Sequence, residues 1–198
     1  MNKQLFLPFV ILIIIIAGAI YYFSLNKPME QSSTSQQASG QEVTLKTSKG
    51  DIVIELYPDK APATVENFLK LANSGFYNGV KFHRIIPNFM IQVGDPNTKG
   101  DDVASYGTGG PGYTIDDEFE NGLSNTRGMV AMANTGQPHS GGSQFFVNVV
   151  DNTSLDGGYS VFGKVVSGMN VADAIVNVPR NASDLPNDPI VIESVEVK

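Results

Sequence analysis

Residues 42–57 read EVTLKTSKGDIVIELY, and their two-residue rhythm decides the class of fold. Val43, Leu45 and Thr47 alternate with polar neighbours, and Ile52, Ile54 and Leu56 do the same beyond Lys49-Gly50. Alternation lines one face of an extended chain with apolar side chains, and a short polar break between two such runs signals a hairpin. From Val80 to Val166 the chain continues as short apolar runs punctuated by glycine, among them Met90-Ile91-Gln92-Val93, Met129-Val130-Ala131-Met132, Phe145-Phe146-Val147 and Val161-Phe162. Pro189 to Val197 reads as a last strand. Only two stretches change period. Ala61-Pro62 opens a helix in which Val65, Phe68, Leu69 and Ala72 share a face, with Gly75 placed to end it. Met169 to Val178 is a second, stopped by Pro179. Strands that do not alternate with helices exclude a doubly wound nucleotide-binding sheet. They point to a mainly β fold, a closed or nearly closed antiparallel sheet with two helical caps.

Composition agrees. Of 198 residues 41% are hydrophobic and 17% charged, which suits a packed core better than a disordered chain. Twenty glycines and eleven prolines suit a turn-rich β protein. The net charge of −7 argues against a nucleic-acid partner, which would need a basic face. The absence of cysteine excludes disulfides, thiolate metal sites and thiol catalysis.

Residues 5–23, LFLPFVILIIIIAGAIYYF, form an uncharged apolar run of 19 residues, close to the roughly 20 needed to span a bilayer. Tyr21 and Tyr22 suit a membrane interface. We read residues 1–23 as a signal anchor, with a signal peptide cleaved near Ala19 as the alternative offered by Ala17-Gly18-Ala19. Residues 24–41 are rich in Ser and Gln and read as a flexible linker, leaving 42–198 as the folded domain. Lys3 ahead of the run favours an N-terminus inside. The domain is then expected outside the cytoplasm, anchored to the membrane, or secreted or periplasmic if cleavage occurs.

Several motifs imitate familiar chemistry. Gly107-Thr-Gly-Gly-Pro-Gly112 matches G-x-G-x-x-G, but Pro111 lies inside it and an extended segment follows, so it reads as a glycine-rich loop. Asp95-Pro-Asn-Thr-Lys-Gly100 starts like a calcium loop, but Lys99 and Tyr106 occupy ligand positions. His83 and His139 are the only histidines, too few for a typical catalytic zinc, and no G-x-S-x-G elbow accompanies Ser140 or Ser143. No metal or cofactor is expected. Asn152-Thr-Ser154 and Asn181-Ala-Ser183 are formal glycosylation sequons.

Three runs go further: FHRIIPNFMIQ at 82–92, Met132-Ala-Asn134, and Gly142-Ser-Gln-Phe-Phe146, joined by Leu155-Asp-Gly157 and Val161-Phe-Gly-Lys164. In order and spacing the chain from Glu42 to Lys198 resembles the cyclophilin family of peptidyl-prolyl cis-trans isomerases. The resemblance implies a closed eight-stranded antiparallel β-barrel capped by two helices, and a peptidyl-prolyl isomerase; with the expected anchor, that enzyme would assist the folding of exported proteins. The alternative is a holdase that binds proline segments without turnover. Arg84 stands at the position of the family's catalytic arginine. By the same resemblance Phe89, Met90, Phe146 and Leu155 line a proline pocket, with Phe119 a neighbour. Gln92 orients Arg84. Asn134 acts through its backbone, and Gln144, Ala133 and Thr135 meet residues preceding proline. His83 and Tyr159 join the substrate site, and Gly109 and Gly110 lie beside a second groove. The implied partners are proline-containing polypeptides, met by a monomeric domain.

The chain departs from the best-known members at Ser154, which stands where drug-sensitive members carry tryptophan, and in an extra acidic loop from Asn97 to Tyr106. With the indole's ring face and N–H donor both missing, cyclosporin is expected to bind poorly. An inhibition titration should show no submicromolar effect on isomerase activity; a submicromolar constant would refute this reading.

Overall fold

The computed structural model describes residues 40–198. The anchor expected at 1–23 and nearly all of the linker lie outside the described residues. No helix among the described residues is long and apolar enough to cross a membrane.

Eight strands alternate in register around one antiparallel sheet. They are β1 (Glu42–Thr47), β2 (Gly50–Leu56), β3 (Arg84–Ile86), β4 (Met90–Val93), β5 (Met129–Met132), β6 (Phe145–Asn148), β7 (Val161–Ser167) and β8 (Ile192–Val197). Their order is β3-β4-β6-β5-β7-β2-β1-β8. The opening hairpin pairs Val43 with Ile54 and Thr47 with Gly50, so Ser48-Lys49 make the turn and Gly50 takes a positive φ of 122°. The sheet is a half-barrel whose ends meet only partly. β3 and β8 share no ladder; the residues just before them do, through the Lys81–Val191 bridge and the N–H groups of Phe82 and Ile192 donating to Ile190 and Val80, both at 2.9 Å. The expected full closure is thus reduced to a short seam.

Among the described residues two helices pack on the sheet, α1 (Pro62–Asn73) and α2 (Met169–Val176). The second ends two residues earlier than its period suggested, with Val178 N–H turning back to Ile175 O. Inside, Phe68 of α1 packs against Tyr77, Phe145 and Phe162 with ring centroids 5.2–5.3 Å apart. A second, smaller apolar cluster of Met90, Met129, Ala131, Phe146 and Val161 lies on the other face of the same strands. Alternation explains the split. On β6 Phe145 joins the interior and Phe146 the second cluster, and on β4 Ile91 and Met90 divide likewise.

Helix α1 lacks a local cap, because Ala61 offers no side-chain acceptor and Pro62 no N–H. Its cap comes from Glu118. One carboxylate oxygen accepts from Ala63 N–H at 3.1 Å, and the other from Thr64 N–H at 2.9 Å and the Thr64 hydroxyl at 2.7 Å. These are the free donors of the first turn, and a negative charge there also meets the positive end of the helix dipole. Arg127 ties the start of β5 to α2 through a two-bond fork on Asp173 at 2.9 and 2.7 Å. His83 is buried beside Gly107 and neither ring nitrogen makes a hydrogen bond of good geometry. Burial pushes its pKa below the ordinary histidine value, against an opposing pull from Asp95 and with a smaller push from Arg84.

Glu118→Ala should cost about 1–2 kcal/mol in urea unfolding while the folded spectrum is retained; an unchanged midpoint would show the cap to be idle. The histidine gives a pH prediction. In the unfolded chain it titrates near 6.5, and in the fold below that, so the unfolded state binds more protons as pH falls. The contribution of His83 to stability is therefore complete above pH about 6.5 and is lost as pH falls through the depressed native value. Between pH 7.5 and 5 the wild type should lose more stability than His83→Gln; equal losses would remove the effect.

Candidate active site

The second apolar cluster is the floor of a cavity. Register places the side chains. Arg84 on β3 faces Gln92 on β4, which in turn faces Phe146 on β6. Met90 is two residues from Gln92 on the same strand face. These strand residues meet Ala133 and Asn134, which follow β5, and three loop residues, Phe89, Leu155 and Tyr159. Together the nine enclose a cavity of about 90 Å³. Tyr159 stands edge-on to Phe146 at 5.4 Å, so two aromatic rings make one corner. Arg84 is exposed at the rim and, among the described residues, no carboxylate lies within salt-bridge distance of its guanidinium. An undischarged cation thus stands beside an apolar hollow.

A larger cavity of about 520 Å³ adjoins it, sharing Gln92, Ala133 and Asn134. Gln144, Thr135, Gly109 and Gly110 line this second space. Gln144 is the strut between the two. Its Oε1 accepts from Gln92 Nε2 at 2.9 Å, while its Nε2 donates to the carbonyls of Gly107 and Gly109 at 3.0 and 2.8 Å. Gln92 therefore gives its amide to Gln144 and makes no hydrogen bond to Arg84. Asn134 spends its side chain locally, donating to Gly158 O at 2.8 Å and accepting from Gly136 N–H at 3.0 Å. That leaves its backbone to the cavities.

The glycine-rich run forms turns and bends, with no helix after it. Buried Asp95 holds it by accepting the Gly107 N–H, and also accepts from Asn97 N–H at 2.8 Å. A Cβ at Gly109 would come within 2.1 Å of the Asp95 carboxylate, so the close approach demands glycine. The acidic loop is built from two 3-10 turns, Pro96–Lys99 and Val103–Ser105. Lys81 pins it through Gly100 O at 3.0 Å and the Tyr106 hydroxyl at 3.1 Å.

The structure does not bring every expected residue to the cavities. His83 lines neither; strand alternation turns it inward while Arg84 turns out, and it lies beneath Gly107 and Gln144. Phe119 is a neighbour and not a wall of the small cavity, bordering a depression that shares Asn134 and Tyr159 with it. Tyr113 was not anticipated. It walls the larger cavity, its hydroxyl donating to Asn67 Oδ1 at 2.8 Å and its ring lying 4.9 Å below Lys70 Nζ. Both partners come from α1, so no local pattern announces the contact.

The family described as cyclophilin type peptidyl-prolyl cis-trans isomerase/CLD matches residues 42–197. A peptidyl-prolyl cis-trans isomerase of Acinetobacter baylyi is 48% identical over 165 residues, covering 79% of this chain and 85% of the relative. Peptidyl-prolyl cis-trans isomerase B of Escherichia coli is 48% identical over 169 residues, covering 78% of this chain and 98% of the relative. A crystal structure of a cyclophilin type isomerase from Cryptosporidium parvum superposes with a TM-score of 0.73 at 35% identity, covering 80% of this chain and 97% of that one. The same protein has been solved in the presence of the dipeptide Ala-Pro. An extended match along residues 42–197, with the same fold around the same strands, makes this chain a member of the cyclophilin-type peptidyl-prolyl cis-trans isomerase family.

Proposed function

We propose that the chain accelerates cis–trans rotation about X–Pro peptide bonds, with Arg84 as the group that stabilises the twisted amide. The barrier of about 18–20 kcal/mol comes from amide resonance. At the twisted state that resonance is lost and the prolyl nitrogen gains a lone pair. A fixed cation or N–H donor aimed at that nitrogen binds the twisted amide better than either planar form, which is what catalysis requires. No covalent bond forms or breaks. The observation that carries the reading is the unpaired Arg84 guanidinium at the rim of the apolar cavity of Phe89, Met90, Phe146 and Leu155. Phe146 and Phe89 would receive the proline ring and exclude water from the amide. The backbone of Asn134 and the amides of Gln92 and Gln144 would hold the peptide, with residues upstream of proline running into the larger cavity. Tyr159 would offer its hydroxyl.

We place this domain outside the cytoplasm, tethered through residues 1–23 and a linker at 24–41, acting on exported polypeptides. The support is the uncharged apolar run 5–23 and the Ser/Gln-rich stretch after it. A holdase would need the apolar cavity but not an unpaired cation, so the state of Arg84 favours turnover.

In an NMR exchange assay of an X–Pro peptide, Arg84→Ala should lower kcat/KM by about a hundredfold or more, with peptide affinity changed only severalfold. Equal losses of affinity and turnover would make Arg84 a binding residue. Peptide binding by a folded wild type without exchange would establish the holdase instead.

A further inference from the structure

Of the walls of the small cavity, Met90, Gln92 and Phe146 are fixed by the strand ladder, but Phe89 and Leu155 are not. Phe89 lies in the turn between β3 and β4, after Asn88 at a left-handed φ of 58°. Leu155 ends a single 3-10 turn, Thr153–Leu155. The side chain of Asn152 lies between them. It is 8% exposed and spends both its N–H groups, one on the backbone carbonyl of Phe89 at 2.8 Å and one on Asn148 Oδ1 at 2.7 Å. Its backbone carbonyl accepts from Leu155 N–H at 2.9 Å. Asn148, fully buried on β6, passes its own amide to Asn125 Oδ1 at 3.2 Å and Met129 O at 3.1 Å. Asn125, also fully buried, donates from its backbone N–H and its amide to Asp156 at 2.7 and 3.1 Å. The Asp156 carboxyl is held below the usual range by the Asn125 N–H first and the Ser124 hydroxyl second.

We propose that Asn152 is a positioning residue for isomerisation, the head of a buried asparagine relay that sets the distance between Phe89 and Leu155 across the proline cavity. This rests on the isomerase reading above. The NH2 group of each asparagine in the relay is hydrogen-bonded, which fixes the orientation of each amide, and removing the head leaves Asn148 Oδ1 without that donor and Phe89 O with only the Val149 N–H. The turn carrying Phe89 then loses its link to the turn carrying Leu155. A wall displaced by an ångström at a reaction cavity can cost as much as about a hundredfold in rate. The relay also bears on one sequon. In the folded domain the side-chain amide of Asn152 in Asn152-Thr-Ser154 is buried and doubly bonded, and so is not free to carry a glycan without breaking both bonds.

The test uses the full-length chain in mild detergent and an X–Pro peptide followed by NMR exchange. Asn152→Ala should retain cooperative unfolding yet lose about tenfold in kcat/KM, with backbone shifts moving at 86–89 and 153–156. Glu118→Ala, which weakens the α1 cap away from the cavity, serves as the stability control and should keep wild-type kcat/KM. Asn152→Asp supplies a second readout, and decides the matter if Asn152→Ala does not fold. Its carboxylate faces two acceptors, the Phe89 carbonyl and Asn148 Oδ1, so burial without a donor raises its pKa. Protonation restores one donor. The ratio of variant to wild-type kcat/KM should therefore climb as pH falls through that raised range. Asn152→Ala within twofold of wild type, or a ratio for Asn152→Asp that is flat with pH, would overturn the inference while leaving the isomerase standing. An inactive wild type would remove both.

Discussion

Everything in this domain turns on three strands that bury both faces. β4, β6 and β5 send Ile91, Val93, Phe145, Val147, Val130 and Met132 into the main core, and Met90, Phe146 and Ala131 into the second cluster. A strand whose two faces are both apolar cannot slip by one residue without exchanging the floor of the cavity for the heart of the core. The ladder that gives the fold its stability thus also fixes the spacing of Arg84, Gln92 and Phe146 across three neighbouring strands. The cavity needs no separate scaffold, because it is the outer surface of the core sheet.

Around this rigid floor the remaining walls are loops, and each loop is held by buried or half-buried polar groups. Asp95 anchors the glycine-rich run, Gln144 braces it, Asn67 fixes Tyr113, and Asn152 joins two turns. Loops lack a ladder of their own, and an unsatisfied buried amide costs about 1–3 kcal/mol, so each such group has few places to go. Side-chain amides, which can donate and accept at once, are well suited to this work. The same logic extends to helix α1, whose free N–H groups are met by a glutamate 54 residues away.

Electrostatics separates Arg84 from the frame. The acids and bases that fasten the structure are paired, as in Arg127 with Asp173 and Lys46 with Asp51 at 2.7 Å. Arg84 is not. A charge without a carboxylate partner at the mouth of an apolar hollow is left available to whatever enters, and its field strengthens once an occupant displaces the water around it.

The sequence by itself determined the mainly β class, the opening hairpin, both helices and the strand residues of the cavity, since each follows from a period of two or 3.6 or from a family motif read in order. Arg84, Phe89, Met90, Gln92, Phe146 and Leu155 lie in such motifs, and the structure gathers them around one cavity. Only the tertiary structure decided that His83 lies beneath the groove, that Gln92 is bound to Gln144, that Glu118 caps α1, and that the Asn152 amide bonds the Phe89 carbonyl. The reason is physical. Periodicity records which face a side chain takes, because that is set by its own backbone. A hydrogen-bond partner 46 or 63 residues away is set by where another segment arrives, and Asn67 with Tyr113, or Asn152 with Phe89, carry no mark of each other in the chain.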